Sequence, residues 1–123
     1  MGAWGGISSL QLGLPNVWSE AIKRGLSLEQ VGAWLSERPA AFAGLGHRKG
    51  KLAPGYDADF VVWSPEQAFV LQPEDLRFKH KLSPYLGKHL TGRVERTYLR
   101  GALCYDAGQV LAARGLPLLG RGA

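Results

Sequence analysis

The sequence predicts a chain in two parts, with helical segments over residues 1–46 and short β-strands over residues 47–123. Ser27 and Gln30 have the spacing of a helix capping box, and apolar residues at helical spacing follow them. Further along, the helical pattern gives way to runs rich in β-branched and aromatic residues. The clearest of these runs are residues 60–63 and 92–100. Helices followed by strands indicate two halves of different architecture.

Three helical pieces joined by tight turns are expected in the first part, after a glycine-rich and nearly uncharged opening. Pro15 suits the first turn of a helix, where its missing N–H group costs nothing. This helix is expected to continue to Arg24. Gly25 then suits the left-handed conformation that often ends a helix.

Pro39 separates the second helical piece from the third. The second piece begins after the Ser27 cap, and Pro39 either ends it or opens the next one. The third piece covers residues 40–45 and closes at Gly44 or Gly46. Pieces this small usually pack onto a larger body, so the chain is expected to be incomplete on its own.

The second part is expected to hold short strands separated by turns. The run at residues 60–63 is expected to stop at Ser64 and Pro65, because proline cannot donate to a strand ladder. Further expected elements are a short strand at 69–71, a helical turn at 73–76, a strand at 92–100, a hairpin turn at 100–101 and a strand at 102–105.

Length, composition and charge exclude several classes of protein. A complete TIM barrel needs about 250 residues, and this chain has 123. The hydrophobic fraction is 46% and the charged fraction 20%, as in ordinary soluble domains. No membrane-spanning run and no leader peptide are found, so we expect a soluble intracellular protein of unknown compartment. The net charge of +5 is scattered rather than arranged in a stripe, so nucleic acid is not an expected partner.

No catalytic or metal-binding constellation can be assembled from the residue types alone. Cys104 is the only cysteine, and we expect it to pack in a strand without reacting. The histidines are His47, His80 and His89. They form no H-x-H pair, and none is expected to bind a metal. Asp57 and Asp59 are two residues apart, which would put them on one face of a strand. Asp57 is expected to cap the turn after Gly55 and Tyr56, and Asp59 is expected to pair with a nearby base or with backbone.

Residues 49–63 carry a resemblance to a known superfamily. They read K-G-K-L-A-P-G-Y-D-A-D-F-V-V-W and resemble the K-G-x-I/L-x-x-G-x-D-A-D-L-V-V-W block of the amidohydrolases. In that superfamily the block belongs to a small β-sandwich domain beside a metal-bearing barrel. The resemblance therefore implies an α/β parent, a TIM barrel plus a small β-sandwich. Residues 1–46 would end the barrel with its last loop and helices, and residues 47–123 would be the closing strands of the sandwich and a tail.

Other stretches narrow the resemblance. Residues 80–101 contain three short stretches similar to the cyclic amidohydrolases, which include hydantoinase or dihydropyrimidinase, dihydroorotase and allantoinase. Residues 3–11 and 44–50 are most similar to the allantoinase family. The resemblance covers residues 3–108 and implies the C-terminal portion of such an enzyme.

The resemblance implies a hydrolase that opens the hydantoin ring of allantoin to allantoate in purine catabolism, commonly as a tetramer. The family builds a two-zinc centre from histidines, an aspartate and a carbamylated lysine. All of these lie upstream of the segment that resembles this chain, so we expect the chain alone to bind no zinc and to be inactive. The alternatives are a non-catalytic truncated product or interaction piece, and a fragment of a dihydropyrimidinase or hydantoinase.

The opening glycines are the only site residues that the resemblance carries over. In the related enzymes the backbone of this loop, just after the last barrel strand, hydrogen-bonds the ring amide of the substrate. Gly5 is the aligned position and Gly6 is its neighbour. Glycine lets the backbone approach a flat polar ring closely. The alternative is that both glycines only shape a strand-to-helix turn.

Overall fold

The structure is a computed structural model that describes residues 6–111 and 115–118. Over these residues, helices precede an antiparallel sheet of order β1-β2-β3-β4, which is the predicted order of elements. The elements are a 3₁₀ turn Leu10–Leu12, α1 Gly13–Lys23, α2 Leu28–Gly32, a π-helical turn Ala33–Glu37, α3 Arg38–Phe42, β1 Phe60–Val70, a 3₁₀ turn Pro73–Asp75, β2 His89–Leu99, β3 Ala102–Asp106 and β4 Gln109–Val110. None of the helices in these ranges combines the length and apolar character needed to cross a bilayer.

Helix α1 packs against β2 and has the predicted end. Pro15 lies in its first turn and is buried, together with Ser19 one turn later. Gly25 has a φ of 66°, and its N–H donates to the Ile22 carbonyl at 3.0 Å. The left-handed stop predicted at this glycine is confirmed.

The second helical run begins and ends as its local sequence predicts. The Ser27 side chain accepts a hydrogen bond from the Gln30 N–H, and the Gln30 side chain accepts one from the Ser27 N–H, which completes the capping box. At the other end, Gly44 has a φ of 71°, and the next N–H, that of Leu45, donates to the Ala40 carbonyl at 2.8 Å. Of the two glycines proposed as the stop, Gly44 therefore closes the run.

Between these ends the helix is continuous, so the predicted tight turn between the second and third pieces is wrong. Pro39 opens α3, one of its two expected roles, but α3 follows the preceding helix directly. A π-helical turn, Ala33–Glu37, lies between them, and the Arg38 N–H donates to the Ala33 carbonyl five residues back. A widened turn relieves the clash between a proline ring and the preceding carbonyls, so the chain passes Pro39 without breaking.

Strand β1 is longer than predicted. It continues through Ser64 and Pro65, with an irregular register between Ser64 and Ala68. Because β1 lies at an edge of the described sheet, a proline in it need not donate to a neighbour. The predicted stop at Ser64 and Pro65 is wrong, and the strand expected at 69–71 is the second half of β1.

Two tight turns connect β2, β3 and β4. Arg100 and Gly101 have φ values of 49° and 77°, and Ala107 and Gly108 have values of 43° and 96°. Two successive left-handed residues are typical of the type I′ turn, whose twist matches that of a hairpin. The hairpin predicted at Arg100 and Gly101 is confirmed. The hairpin at Ala107 and Gly108 was not predicted.

The hydrophobic core is small. Its central cluster consists of four leucines, Leu12, Leu71, Leu76 and Leu90. Partly buried side chains pack around it, namely Phe69, Phe78, Tyr85 and Leu86. The cluster joins the 3₁₀ turn before α1 to the segment between β1 and β2. It therefore fixes the start of the helical part against the sheet.

Candidate functional site

The opening glycine loop leads into the 3₁₀ turn before α1. Gly5 lies outside the described residues. Gly6 is exposed, and a Cβ built on it would meet no atom of the described residues within 4 Å. The Ser9 hydroxyl donates to the Ile7 carbonyl at 3.3 Å and so turns inward on the loop itself. Among the described residues, none therefore covers the side of Gly6 on which a Cβ would lie.

Two neighbouring residues anchor this loop to the segment between β1 and β2. Leu12 is buried in the core. The Gln11 amide nitrogen donates to the Asp75 carbonyl at 2.9 Å, and its amide oxygen accepts from the Arg77 N–H at 2.6 Å. A primary amide can imitate a peptide group in this way because it carries both a donor and an acceptor. The sequence alone does not predict this anchoring role of Gln11, because its hydrogen-bond partners lie more than 60 residues away in the chain.

Arg77 extends the same connection to the β3–β4 turn. Its Nε donates to the Gly108 carbonyl at 2.9 Å, and its Nη1 donates to the Glu74 carbonyl at 2.5 Å. A Cβ on Gly108 would lie 3.2 Å from the other guanidinium nitrogen. The guanidinium is thus held by backbone oxygens and serves as a structural tie.

A helix–sheet joint, formed by Trp18, Ser19, Trp63, Thr91 and Gly92, fixes α1 on the sheet. The Trp18 and Trp63 rings meet edge to face, with centroids 5.6 Å apart and planes at 83°. Gly92 has a φ of 96°, and a Cβ on it would lie 2.7 Å from an atom of each ring. Only glycine fits this position without displacing both rings.

Polar contacts complete the joint. The Trp18 indole N–H donates to the Pro65 carbonyl at 2.8 Å, which supplies a partner for an irregular part of β1. The buried Ser19 hydroxyl donates to the Pro15 carbonyl at 2.6 Å and accepts from the Thr91 N–H at 2.8 Å. Each of these groups is paired, as burial requires.

An ionic cluster, formed by Arg48, Lys49, Asp57 and Asp59, lies in the segment between α3 and β1. Lys49 Nζ is 2.8 Å from Asp57 Oδ2 and also contacts Asp59. Arg48 donates to the same Asp57 oxygen at 2.8 Å. The other oxygen of Asp59 accepts from the Arg100 N–H at 2.7 Å, which ties the segment to the β2–β3 turn. The prediction that Asp59 pairs with a base or with backbone is confirmed on both counts. Both aspartates precede β1 instead of lying in a strand, and the Asp57 carboxylate binds Arg48 and Lys49 instead of capping the turn before it.

The cluster is built to stay charged. Hydrogen bonds from Lys49 and then Arg48 hold the pKa of Asp57 below its ordinary value. For Lys49, desolvation is the largest single effect and lowers the pKa, but the bonds to Asp57 and Asp59 outweigh it and raise the pKa overall. A general acid or base works best with a pKa near neutrality. Lys49 and Asp57 are therefore suited to a structural connection rather than to proton transfer.

The described residues do not fit a two-zinc centre. In the ranges 6–111 and 115–118, no three His, Cys, Asp or Glu side chains converge to hold a metal ion. The three histidines are exposed, at positions His47, His80 and His89. Cys104 is half-buried in β3, with its Sγ 3.2 Å from the Thr97 carbonyl oxygen. These side chains therefore do not form a site that could hold a catalytic metal ion.

Comparison with known families identifies the class of protein to which this chain belongs. Residues 18–105, most of the chain, match the model of the amidohydrolase family. The chain belongs to the amidohydrolase family. The matched range includes both the helix–sheet joint and the ionic cluster, so family membership extends to the features that organise this fold.

Curated relatives with similar sequences are allantoinases. The allantoinase of Arabidopsis thaliana is 50% identical over 109 residues, which cover 87% of this chain and 21% of that protein. The probable allantoinase of Oryza sativa subsp. japonica is 48% identical over 122 residues, covering 97% and 24%. The allantoinase of Streptomyces avermitilis is 44% identical over 113 residues, covering 92% and 25%. The chain thus spans about a fifth to a quarter of the length of these relatives.

Solved structures give the same fold. The L-hydantoinase (dihydropyrimidinase) of Arthrobacter aurescens superposes with a TM-score of 0.81 at 32% identity, over 89% of this chain and 25% of that one. The dihydropyrimidinase of Brevibacillus agri NCHU1002 superposes with a TM-score of 0.75 at 27% identity, over 80% and 22%. The expected α/β parent, of which this chain holds helices and an antiparallel sheet, is confirmed.

The division of the chain at residues 46 and 47 stays a prediction. The last helix ends at Phe42 and the first strand begins at Phe60, so the boundary lies in the segment that carries the ionic cluster. Over the described residues the strands form one sheet. A β-sandwich needs a second sheet packed on the first.

Proposed function

We propose that this chain is part of an allantoinase-like zinc hydrolase, which adds water across a ring C–N bond of allantoin to give allantoate. The observation that carries the proposal is the 44–50% identity to allantoinases over 87–97% of the chain. In this proposal the zinc ligands, including the carbamylated lysine, come from parts of the enzyme outside these 123 residues. The chain supplies the loop, the helices and the sheet that border the site.

A dihydropyrimidinase or hydantoinase is the second candidate. It is favoured by the superposition on the Arthrobacter aurescens enzyme, with its TM-score of 0.81. The identity in that superposition is 32%, well below the identity to the allantoinases. Ring specificity depends on the residues that contact the substrate. More of this chain's residues are shared with the allantoinases, so the comparison supports allantoin as the substrate.

A pair of chimeric enzymes tests the proposal. In the allantoinase chimera, this chain replaces the matched segment of the Arabidopsis thaliana allantoinase. In the hydantoinase chimera, it replaces the matched segment of the Arthrobacter aurescens L-hydantoinase. The first is expected to keep allantoin hydrolysis within about tenfold of its parent, and the second to lose most hydantoin hydrolysis through mismatched contacts. The reverse result would favour the second candidate.

The glycine loop is proposed to hold the substrate ring through its backbone, with Gly5 as the main contact and Gly6 beside it. The open space next to Gly6 supports this role. In the allantoinase chimera, Gly6→Ala is expected to raise KM for allantoin, because the added methyl group occupies the approach to the backbone. Gly13→Ala is the matched control, since Gly13 also has open space around it but lies in α1. Equal effects would mean that the glycines only shape the turn.

The isolated chain is proposed to be inactive, because the resemblance places the metal ligands of the family outside it. Its three histidines are exposed, and no described cluster offers metal ligands. Ring opening by the purified 123-residue chain in the presence of zinc would contradict this. With such activity, a natural product of this size would be an enzyme in its own right. Without it, a natural product of this size would be a non-catalytic truncated product or interaction piece.

The full-length enzyme is proposed to assemble as a tetramer. The proposal comes from the resemblance to the cyclic amidohydrolases. Light scattering on the allantoinase chimera measures its mass directly. A mass four times that of one chain is expected, and a monomeric active chimera would contradict the proposal.

A further inference from the structure

The glycine loop, which leads into the 3₁₀ turn before α1, has few contacts of its own. Ile7 is 61% exposed and Leu10 is 95% exposed. The Ser9 hydroxyl donates within the loop, to the Ile7 carbonyl. Among the described residues, no side chain of residues 6–10 forms a hydrogen bond to a residue beyond the loop. Within this part of the chain, the Gly6 backbone is therefore positioned by the residues that follow it.

Gln11 fixes the end of the loop through two hydrogen bonds. Its amide nitrogen donates to the Asp75 carbonyl at 2.9 Å, and its amide oxygen accepts from the Arg77 N–H at 2.6 Å. Two bonds on one planar amide set its orientation as well as its position, which a single bond would not do. The Leu12 N–H donates to the Ser9 carbonyl at 2.8 Å, so the constraint extends back towards the glycines.

The segment that receives Gln11 is itself held firmly. Leu76 lies between the two backbone groups that bind Gln11, and it is fully buried in the core. The Leu76 carbonyl accepts a hydrogen bond from the Lys81 side chain. The Arg77 guanidinium is bonded to two further backbone carbonyls, one of them in the β3–β4 turn. Gln11 thus ties the loop to a segment that is fixed by contacts of its own.

Stability alone does not explain this pair of bonds. Both bonds of the Gln11 side chain lie at the exposed surface. Water can replace an exposed hydrogen bond at little cost in the free energy of unfolding. The main effect of Gln11 is therefore on where the loop lies, and this loop is the part of the chain that is proposed to contact the substrate ring.

We propose that Gln11 is a positioning residue for substrate binding, whose side-chain amide holds the glycine loop where the loop backbone meets the ring. This inference rests on the proposed function, and in particular on the proposed contact of Gly5 and Gly6 with the ring. Groups that bind a substrate have to be held within about 0.5 Å of their working geometry. Gln11 acts through the loop and contacts no reacting atom.

The kinetics of the allantoinase chimera test this inference. Gln11→Met keeps the length of the side chain and removes both amide bonds. We expect it to raise KM for allantoin about tenfold. We expect kcat to change less than about threefold, because a loop that holds the ring equally before and during the reaction contributes uniform binding.

Gln30→Met is the matched control. Gln30 is also exposed, and its amide oxygen accepts from the Ser27 N–H at 2.9 Å in the capping box of α2. The control therefore loses a comparable surface hydrogen bond away from the glycine loop. It is expected to lower Tm at least as much as Gln11→Met does, while KM stays within about twofold of the unmodified chimera. Equal effects of the two variants on KM would overturn the proposal.

Hydrogen exchange of residues 6–12, measured by mass spectrometry on the same chimeras without substrate, tests the anchor itself. Gln11→Met is expected to speed exchange in this segment at least about threefold, because the loop opens more often once its anchor is lost. Gln30→Met is expected to leave it unchanged. Unchanged exchange in Gln11→Met would overturn the proposal, and so would faster exchange with an unchanged KM.

The two measurements separate this inference from the proposed function. An unmodified chimera that folds but does not hydrolyse allantoin would count against the proposed function. The exchange comparison uses no substrate, so it would then still decide whether Gln11 anchors the glycine loop.

Discussion

The helix–sheet joint and the ionic cluster both connect distant parts of the chain, but they do so by different physics. In the joint, two indole rings close over Gly92, and each buried polar group has a partner. In the cluster, partly buried side chains are held together by opposite charges. The joint therefore depends on shape and tolerates no added atom. The cluster depends on ionisation, so pH governs its strength.

The joint and the cluster differ most clearly at Gly92, where we expect a substitution to cause the largest loss of stability. Gly92→Ala adds a Cβ 2.7 Å from both rings on a backbone with φ of 96°. Overpacking and left-handed strain together are expected to cost about 3 kcal/mol or more in the free energy of unfolding, measured with urea. Gly101→Ala is the control, since Gly101 has a φ of 77° but open space around it. Its expected cost is about 1–2 kcal/mol, from strain alone. Equal losses would show that the rings do not confine Gly92.

The next largest effect is expected from the buried hydroxyl of the joint. Ser19→Ala leaves the Thr91 N–H without its acceptor, which is expected to cost about 1–3 kcal/mol by the same measurement. Ser8→Ala, at an exposed position of the opening loop, is expected to change stability by less than about 0.5 kcal/mol. A negligible effect of Ser19→Ala would mean that packing alone holds α1 on the sheet.

The ionic cluster is expected to show itself in the pH dependence of stability. The pKa of Asp57 lies below its ordinary value of 3.8 in the folded chain, so its contribution is present above that pH and is lost as the pH falls through the folded pKa. Lys49→Met removes the hydrogen-bond donor that lowers the pKa of Asp57 the most. The variant is therefore expected to lose less stability than the native chain as the pH falls below about 4.

Lys49→Met is also expected to change the dependence of stability on pH in the alkaline range. The pKa of Lys49 is raised above 10.5, so its contribution is complete below that pH and is lost as the pH rises through the folded pKa. At neutral pH we expect the cost of Lys49→Met to be smaller than that of Ser19→Ala. Lys79→Met, at an exposed lysine outside the cluster, is expected to keep the native pH profile. Identical acid profiles for Lys49→Met and the native chain would contradict a stabilising role of the cluster.

The smallest effect is expected at an exposed ion pair that belongs to neither region. Lys23 and Glu20 are 2.8 Å apart on α1, with most of each side chain exposed. Such pairs contribute little in water. Lys23→Met is therefore expected to leave the urea midpoint unchanged. A shift comparable to that of Lys49→Met would show that exposure does not separate the two kinds of ion pair.

Local signals predicted local structure well. The capping box at Ser27 and Gln30, the stop at Gly25 and the hairpin at Arg100 and Gly101 each depend on a few neighbouring residues. The 3₁₀ turn Pro73–Asp75 was found within the predicted helical turn for the same reason. These features are encoded by residue types whose preferred backbone conformations are known.

Features that depend on remote partners were missed. Pro65 was expected to end a strand, but its carbonyl is taken by Trp18, 47 residues earlier in the chain. From the sequence, Gly92 was predicted only as the start of a strand. The fold shows that the rings of Trp18 and Trp63 require a glycine at this position. The family block at residues 49–63 was recognised by its pattern. The structure adds the reason for part of that pattern, since Lys49 joins Asp57 and Asp59.

The zinc content of the purified chain and of the allantoinase chimera, measured by elemental mass spectrometry, tests most directly where the metal site lies. The ligands are proposed to lie outside these 123 residues, while this chain supplies the joint and the cluster. The chain alone is then expected to carry no zinc above background, and the chimera is expected to carry the zinc content of its parent allantoinase. Stoichiometric zinc retained by the isolated chain would contradict this division of the enzyme.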